Sequence, residues 1–136
     1  MSEAVTFQHV YSYSLETPGI VVPIRLDFAG KFVTFKARID TGASYSIFWR
    51  GHGEEMGLNI EDGTPDEVST AMGNFRVYGH QLRLTTVGIS LDTTVYFAAH
   101  PQFNRNALGR QGWLDRLKVG LVDYEGKLLV SHYDQA

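Results

Sequence analysis

Asp40, Thr41 and Gly42 set a carboxylate, a small hydroxyl and a glycine in consecutive positions. The residues before them alternate: Val33, Phe35, Ala37 and Ile39 fall on one face, Thr34, Lys36 and Arg38 on the other. A period of two is that of a half-buried strand, so the carboxylate is expected at a strand end. Ile47-Phe48-Trp49 resumes an extended apolar run, and the chain therefore reads strand, tight loop, strand. Gly42 offers backbone angles closed to other residues and lets another chain approach closely. An acid on a rigid strand end beside an open glycine is well placed for chemistry, and for a carboxylate that means taking or giving a proton.

The rest of the chain must position this loop. Its 136 residues fit a single domain over residues 1–136, long enough to bury roughly two thirds of its unfolded surface. A hydrophobic share of 43% and a net charge of -3 give no electrostatic footprint for nucleic acid or an anionic membrane. Without cysteines there are no disulfides, thiolate metal sites or cysteine nucleophiles. Met1-Ser2-Glu3-Ala4 lacks the basic and apolar regions of a signal peptide, and no run is long enough to span a bilayer. A soluble, cytoplasmic domain is the expectation.

Residues 5–13 alternate and predict an N-terminal strand, ended by the turn Thr17-Pro18-Gly19. Residues 20–28 are rich in β-branched side chains, with Pro23 suggesting an edge or bulge, and Ala29-Gly30-Lys31 leads into the strand that carries Asp40. A short helical turn fits residues 51–59, and residues 61–65 read as a loop. Residues 68–71, a tip at Met72-Gly73-Asn74 and an alternating run through Phe75, Val77 and Tyr78 predict a β-hairpin. Strands follow over residues 81–86 and 89–98, then a short helix near Leu114 and Leu117, then a hairpin over 119–124 and 128–133. Short, regularly spaced strands with one helix near the end read as mostly β and barrel-like.

Ile39-Asp40-Thr41-Gly42-Ala43-Ser44 resembles the active-site loop of aspartic proteases. One copy in a chain of this length resembles the retropepsin-like branch, the retroviral proteases and their single-domain cellular and bacterial relatives. The hairpin tip at Met72-Gly73-Asn74 sits where such proteins carry a flap. Asn106-Ala107-Leu108-Gly109-Arg110 and the helix expected over residues 113–117 resemble the apolar-apolar-Gly-Arg segment and C-terminal helix that support the loop. The resemblance covers residues 20–133. It implies a mostly β fold, a closed retropepsin-like acid-protease β-barrel with one short C-terminal helix and a β-hairpin flap.

Residue by residue, the resemblance implies that Asp40 is catalytic and that Thr41 is a buried hydroxyl bonding across a two-fold axis to a partner loop. Gly42 would contact the substrate backbone, beside Ala43 in the same loop. Ala71, Met72, Gly73 and Asn74 would close over the peptide as a flap. Leu108, Gly109 and Arg110 would back the loop. Hydrolysis by this chemistry needs two carboxylates sharing a proton. The chain has one Asp-Thr-Gly, because Asp92-Thr93-Thr94 lacks the glycine and lies in a strand pattern. The second Asp40 must then come from another subunit, and a symmetric homodimer is the economical arrangement. Substrate would bind as an extended peptide or protein segment. No metal and no other cofactor is implied.

Three departures from the family's pattern stand out. Ala43 replaces the serine of pepsin-like loops, which removes a hydroxyl bond favouring the ionised pair and predicts an optimum nearer neutral. Ser44 stands where retroviral enzymes often carry an aspartate for the arginine after the glycine, so Arg110 has no evident partner there. The flap tip is also poorer in glycine than many.

Other signals are weaker. The five histidines have no paired-ligand spacing, His52-Gly53-Glu54-Glu55 reads as a solvated loop, and Gly51, Gly53 and Gly57 lack the Lys-Ser/Thr of a phosphate loop. Phe48, Trp49 and Trp113 are expected in the core. The alternative function is a catalytically silent dimerisation or peptide-binding module of the same fold. A chain that pairs with a different, larger partner is a third possibility.

Overall fold

The computed structural model describes residues 1–135, and the alternation read ahead of Asp40 holds in three dimensions. In β3 (Lys31–Ile39), Val33 and Ala37 are buried while Thr34, Lys36 and Arg38 face solvent. The fold is mostly β. Around β3 lie β1 (His9–Ser12), β2 (Val21–Phe28), β4 (Ile47–Phe48), β5 (Thr64–Thr70), β6 (Gly73–Thr86), β7 (Ile89–Ala98), β8 (Ala107–Leu108), β9 (Leu117–Val122) and β10 (Lys127–His132), with one α-helix, α1 (Arg50–Glu55).

Seven strands form one sheet in the order β2-β3-β8-β4-β7-β6-β5, and β2 pairs in addition with β6 through residues 25–27. The β2–β3 and β6–β7 hairpins turn on Ala29-Gly30 (φ 50 and 80) and Val87-Gly88 (φ 45 and 86). Both central residues are left-handed, the geometry whose twist matches that of the flanking strands. A second sheet, β1-β10-β9, is antiparallel and joins the two ends of the chain, with His9 opposite Val130 and His132 opposite Leu117. Leu128 and Val130 from it join Leu26, Phe48, Leu84, Phe97, Leu108 and Trp113 in one apolar core. No helix among the described residues is long and apolar enough to cross a membrane.

Several elements differ from those expected. The C-terminal helix is only a three-residue 3-10 turn, Leu114–Arg116. Leu114 and Asp115 donate their N–H groups to the Gly109 and Arg110 carbonyls, 3.1 and 2.9 Å away, and Asp115 Oδ1 accepts from Gly112 N. That local wrapping aims Trp113 into the core, and β9 starts at once after it. The α-helix of the fold is instead α1, clipped by Arg50, which bonds both Glu61 carboxylate oxygens and the Ala99 carbonyl.

The N-terminal strand spans only His9–Ser12. The expected loop at 61–65 already enters β5 at Thr64, where Pro65 is tolerated because β5 is an edge strand. Asp92 sits exposed in β7, paired with Arg83 at 3.1 Å. Phe48 and Trp113 are buried, but Trp49 is partly exposed and its Nε1–H donates to Pro101 O at 2.9 Å.

Trp113 is fully buried, and its Nε1–H meets no hydrogen-bond acceptor among the described residues. A buried unmet donor costs roughly 1–3 kcal/mol, whereas losing the ring altogether costs roughly 3–5 kcal/mol. Trp113→Phe is therefore expected to unfold within about 1 kcal/mol of the parent in urea, and Trp113→Ala to lose at least about 3 kcal/mol.

Candidate active site

Asp40 follows the last residue of β3, and its backbone is fixed before its side chain is. Ile39 pairs with Leu108 in the parallel β3–β8 ladder, and Asp40 N donates to Leu108 O at 2.9 Å. The loop then closes on itself: Ala43 N donates to Asp40 O (3.2 Å), and Gly42 N donates to Asp40 Oδ1 (2.9 Å). That second bond orients the carboxylate while the side chain stays exposed. Gly42 does not have positive φ, contrary to the conformational role expected of it. Its contribution is space, since a Cβ there would stand 3.3 Å from Asp40 Oδ1.

Behind the loop, two segments run side by side. Arg110 N donates to Ala43 O and Gln111 N to Ser44 O, both at 2.9 Å, and Ser46 N returns a bond to Gln111 O at 3.2 Å. Gly109 sits where they come closest: a Cβ would lie 2.2 Å from Tyr45 O and 2.7 Å from Ala43 O. Leu108 is wholly buried beneath. The fully buried Ser46 hydroxyl accepts from Gly109 N (3.1 Å) and donates to Gln111 O (3.3 Å). The Arg110 side chain is exposed and makes no ion pair among the described residues. Thr41 is likewise exposed in the single chain, not buried, and its hydroxyl has no partner among the described residues.

The β5–β6 hairpin projects across from the loop. Ala71 and Met72 form its tip with ordinary negative φ, Gly73 takes φ 122, and Met72 is 88% exposed. Thr70 Oγ1 donates to Gly73 O and accepts from Met72 N, and Ser69 bonds Asn74 beside it. Between hairpin and loop lies a cleft of about 660 Å³, closed on a third side by residues 102–105. Ile47, Val77, Val68, Phe75 and Phe103 give it apolar walls, with the Phe75 and Phe103 rings 5.4 Å apart. Among the described residues, Asp40 is the one carboxylate lining it. Among the described residues no cluster of three His, Asp or Glu side chains could hold a metal ion.

The hairpin is tied to the loop at its base. Tyr45 Oη donates to Asp66 Oδ2 at 2.9 Å, and its ring packs against Tyr96 at 4.6 Å. The bond to the Asp66 carboxylate, helped by burial, raises the Tyr45 pKa. Asp66 is held below the usual carboxylate range, first by Glu67 N and then by this phenol. Burial raises Tyr96 as well.

Sequence reasoning missed Tyr45, Ser46, Asp66 and the whole wall at 102–105. Ser46 carries no local signal, because its partner Gly109 is 63 residues away. Tyr45 and Asp66 are likewise joined only by the fold.

A family model described as aspartyl protease matches residues 22–112, which includes the loop, the hairpin, the cleft wall and Gly109. No curated protein matches the chain.

The tightness behind the loop is testable. In Gly109→Ala the new methyl would overlap backbone oxygens that cannot rotate away. A loss of several kcal/mol in denaturant unfolding, or a folded protein with its loop displaced, is expected.

Proposed function

The chain belongs to an aspartyl protease family of the retropepsin-like type, and from that premise we propose that it is an endopeptidase working as a homodimer, one Asp40 from each subunit forming the catalytic pair. The observation that carries this reading is the solitary carboxylate. A cleft with apolar walls and a projecting hairpin has one acid on its floor, exposed, next to an exposed threonine.

Two carboxylates brought together cannot both ionise readily, so the pair holds one proton and titrates as a unit. The ionised member takes a proton from a water, which attacks the scissile carbonyl carbon. The protonated member donates its hydrogen bond to the carbonyl oxygen as negative charge develops there. Collapse of the tetrahedral intermediate breaks the C–N bond, and the amine leaves with a proton from the pair. Gly42 N–H, bonded to Asp40 Oδ1, holds one oxygen of each carboxylate in place. With Ala43 in the loop, no side-chain hydroxyl there favours the ionised form, and the optimum lies nearer neutral than in loops that carry one.

The substrate would lie extended between loop and hairpin, its side chains alternating into the apolar walls. The hairpin tip, with Met72 outermost, would close over it and exclude water. We also read the seven-stranded sheet as the closed barrel of this family, a reading supported by β2 pairing with β3 on one side and β6 on the other. The homodimer reading draws on the terminal sheet, whose outer strands β1 and β9 each keep an edge that could pair with a partner.

Cleavage of a diverse peptide mixture, read by mass spectrometry between acid and neutral pH at high protein concentration, tests this function. Cuts by the parent that vanish with Asp40→Asn are expected, a loss of at least about a hundredfold. A sedimenting dimer that makes no Asp40-dependent cut would instead favour a silent peptide-binding module.

A further inference from the structure

The walls of the cleft are apolar or neutral except at two residues, Asp40 and Arg105. Asp40 belongs to the chemistry; Arg105 has no part in it. Most other arginines of the chain are occupied. Arg25, Arg50, Arg76 and Arg83 are in ion pairs, and Arg38 and Arg116 donate to backbone carbonyls. Arg105 makes no ion pair and donates no side-chain hydrogen bond among the described residues, yet it is part of the cleft wall.

Its backbone neighbourhood is held on both sides. Next to it, Asn106 O accepts from Arg38 N (2.9 Å) and Asn106 Oδ1 accepts from Trp49 N (3.0 Å). On the other side, Phe103 N donates to His100 O (3.1 Å) and its ring packs on Phe75 of the hairpin. The guanidinium is therefore carried by a braced segment. Leu108, whose carbonyl holds Asp40 N, is three residues further on, a span of about 10 Å in extended chain.

We infer that Arg105 is a specificity-determining residue, selecting peptides with a glutamate or aspartate within about three positions of the scissile bond. This rests on the reading of the cleft as a peptide site. A guanidinium offers five donors in a fork that fits a carboxylate. Exposed on the wall, with no second cation among the lining residues, it attracts an acidic side chain and repels a basic one. Val68, Phe75 and Phe103 meanwhile accept apolar neighbours, so the selected segment is apolar with one acid, not polyacidic.

The test uses the full chain and reads binding as well as cutting. Fluorescein-labelled ten-residue peptides of otherwise apolar and small residues carry Glu, Gln or Lys at each position in turn. Their affinity for the Asp40→Asn protein is measured by anisotropy, with and without Arg105→Glu, so the readout survives if the chain cuts nothing. At one or two positions Glu is expected to bind about tenfold tighter than Gln, with Lys weakest, the preference shrinking in high salt. Arg105→Glu should invert the order, and Arg105→Gln should flatten it. Equal binding of Glu and Gln peptides, a preference unchanged in Arg105→Glu, or no binding by any peptide would overturn the inference. A charge preference in binding without Asp40-dependent cleavage by the parent would keep it and remove the protease reading.

Discussion

The site depends on one close passage of backbone past backbone. Gly109 crosses behind the Asp40 loop at a distance no side chain could tolerate, and the hydrogen bonds at 2.9–3.2 Å on either side exist because of it. Through Leu108 O this passage fixes where β3 ends, and through Ala43 O and Ser44 O it fixes the loop's return. Only then does Gly42 N–H find Asp40 Oδ1 and aim the carboxylate into the cleft. The geometry of the Asp40 loop is thus a product of main-chain bonds on strands. A carboxylate held in this way needs little reorganisation when it begins to take a proton.

A second coupling joins the loop to the hairpin. Tyr45 lies in the same segment that Gly109 presses against, and its hydroxyl reaches Asp66 on the outer strand of the hairpin. The hairpin is thereby anchored at its base and left open at its tip, where Met72 is nearly all exposed. That division suits a lid: small motions at the tip need not disturb the carboxylate. The wall at 102–105 is braced through Asn106 and through the packing of Phe103 on Phe75.

Much of this was legible in the sequence where the signal is local. The alternation through Val33, Phe35, Ala37 and Ile39 gave β3, and the Asp-Thr-Gly loop and the Leu108-Gly109 backing follow from short motifs. Ala29-Gly30 marked the turn into β3, and the strands read over residues 81–86 and 89–98 fall in β6 and β7, though the full extent of β6 was not legible. What failed was set by distant partners. The helix expected after Gly109 becomes a wrapped turn because Leu114 and Asp115 bond back to Gly109 and Arg110 while Trp113 enters the core. Gly42 does not use the backbone freedom that a glycine in a tight loop suggests, and a Cβ there would crowd Asp40 Oδ1 instead. Ser46 gives no signal in the sequence, because its role is visible only once residues 63 apart are neighbours.

A cleft with a single acid holds half of the machinery this chemistry uses, and in the homodimer we propose, two Asp40 side chains from two subunits would make it whole. Mixing parent and Asp40→Asn protein at constant total concentration, after subunit exchange, measures that directly. If each site needs both carboxylates, activity follows the square of the parent fraction, and an equal mixture retains about one quarter of the parental rate. A linear fall, with about one half retained at equal mixing, would mean that one Asp40 suffices and that the site is not shared between subunits.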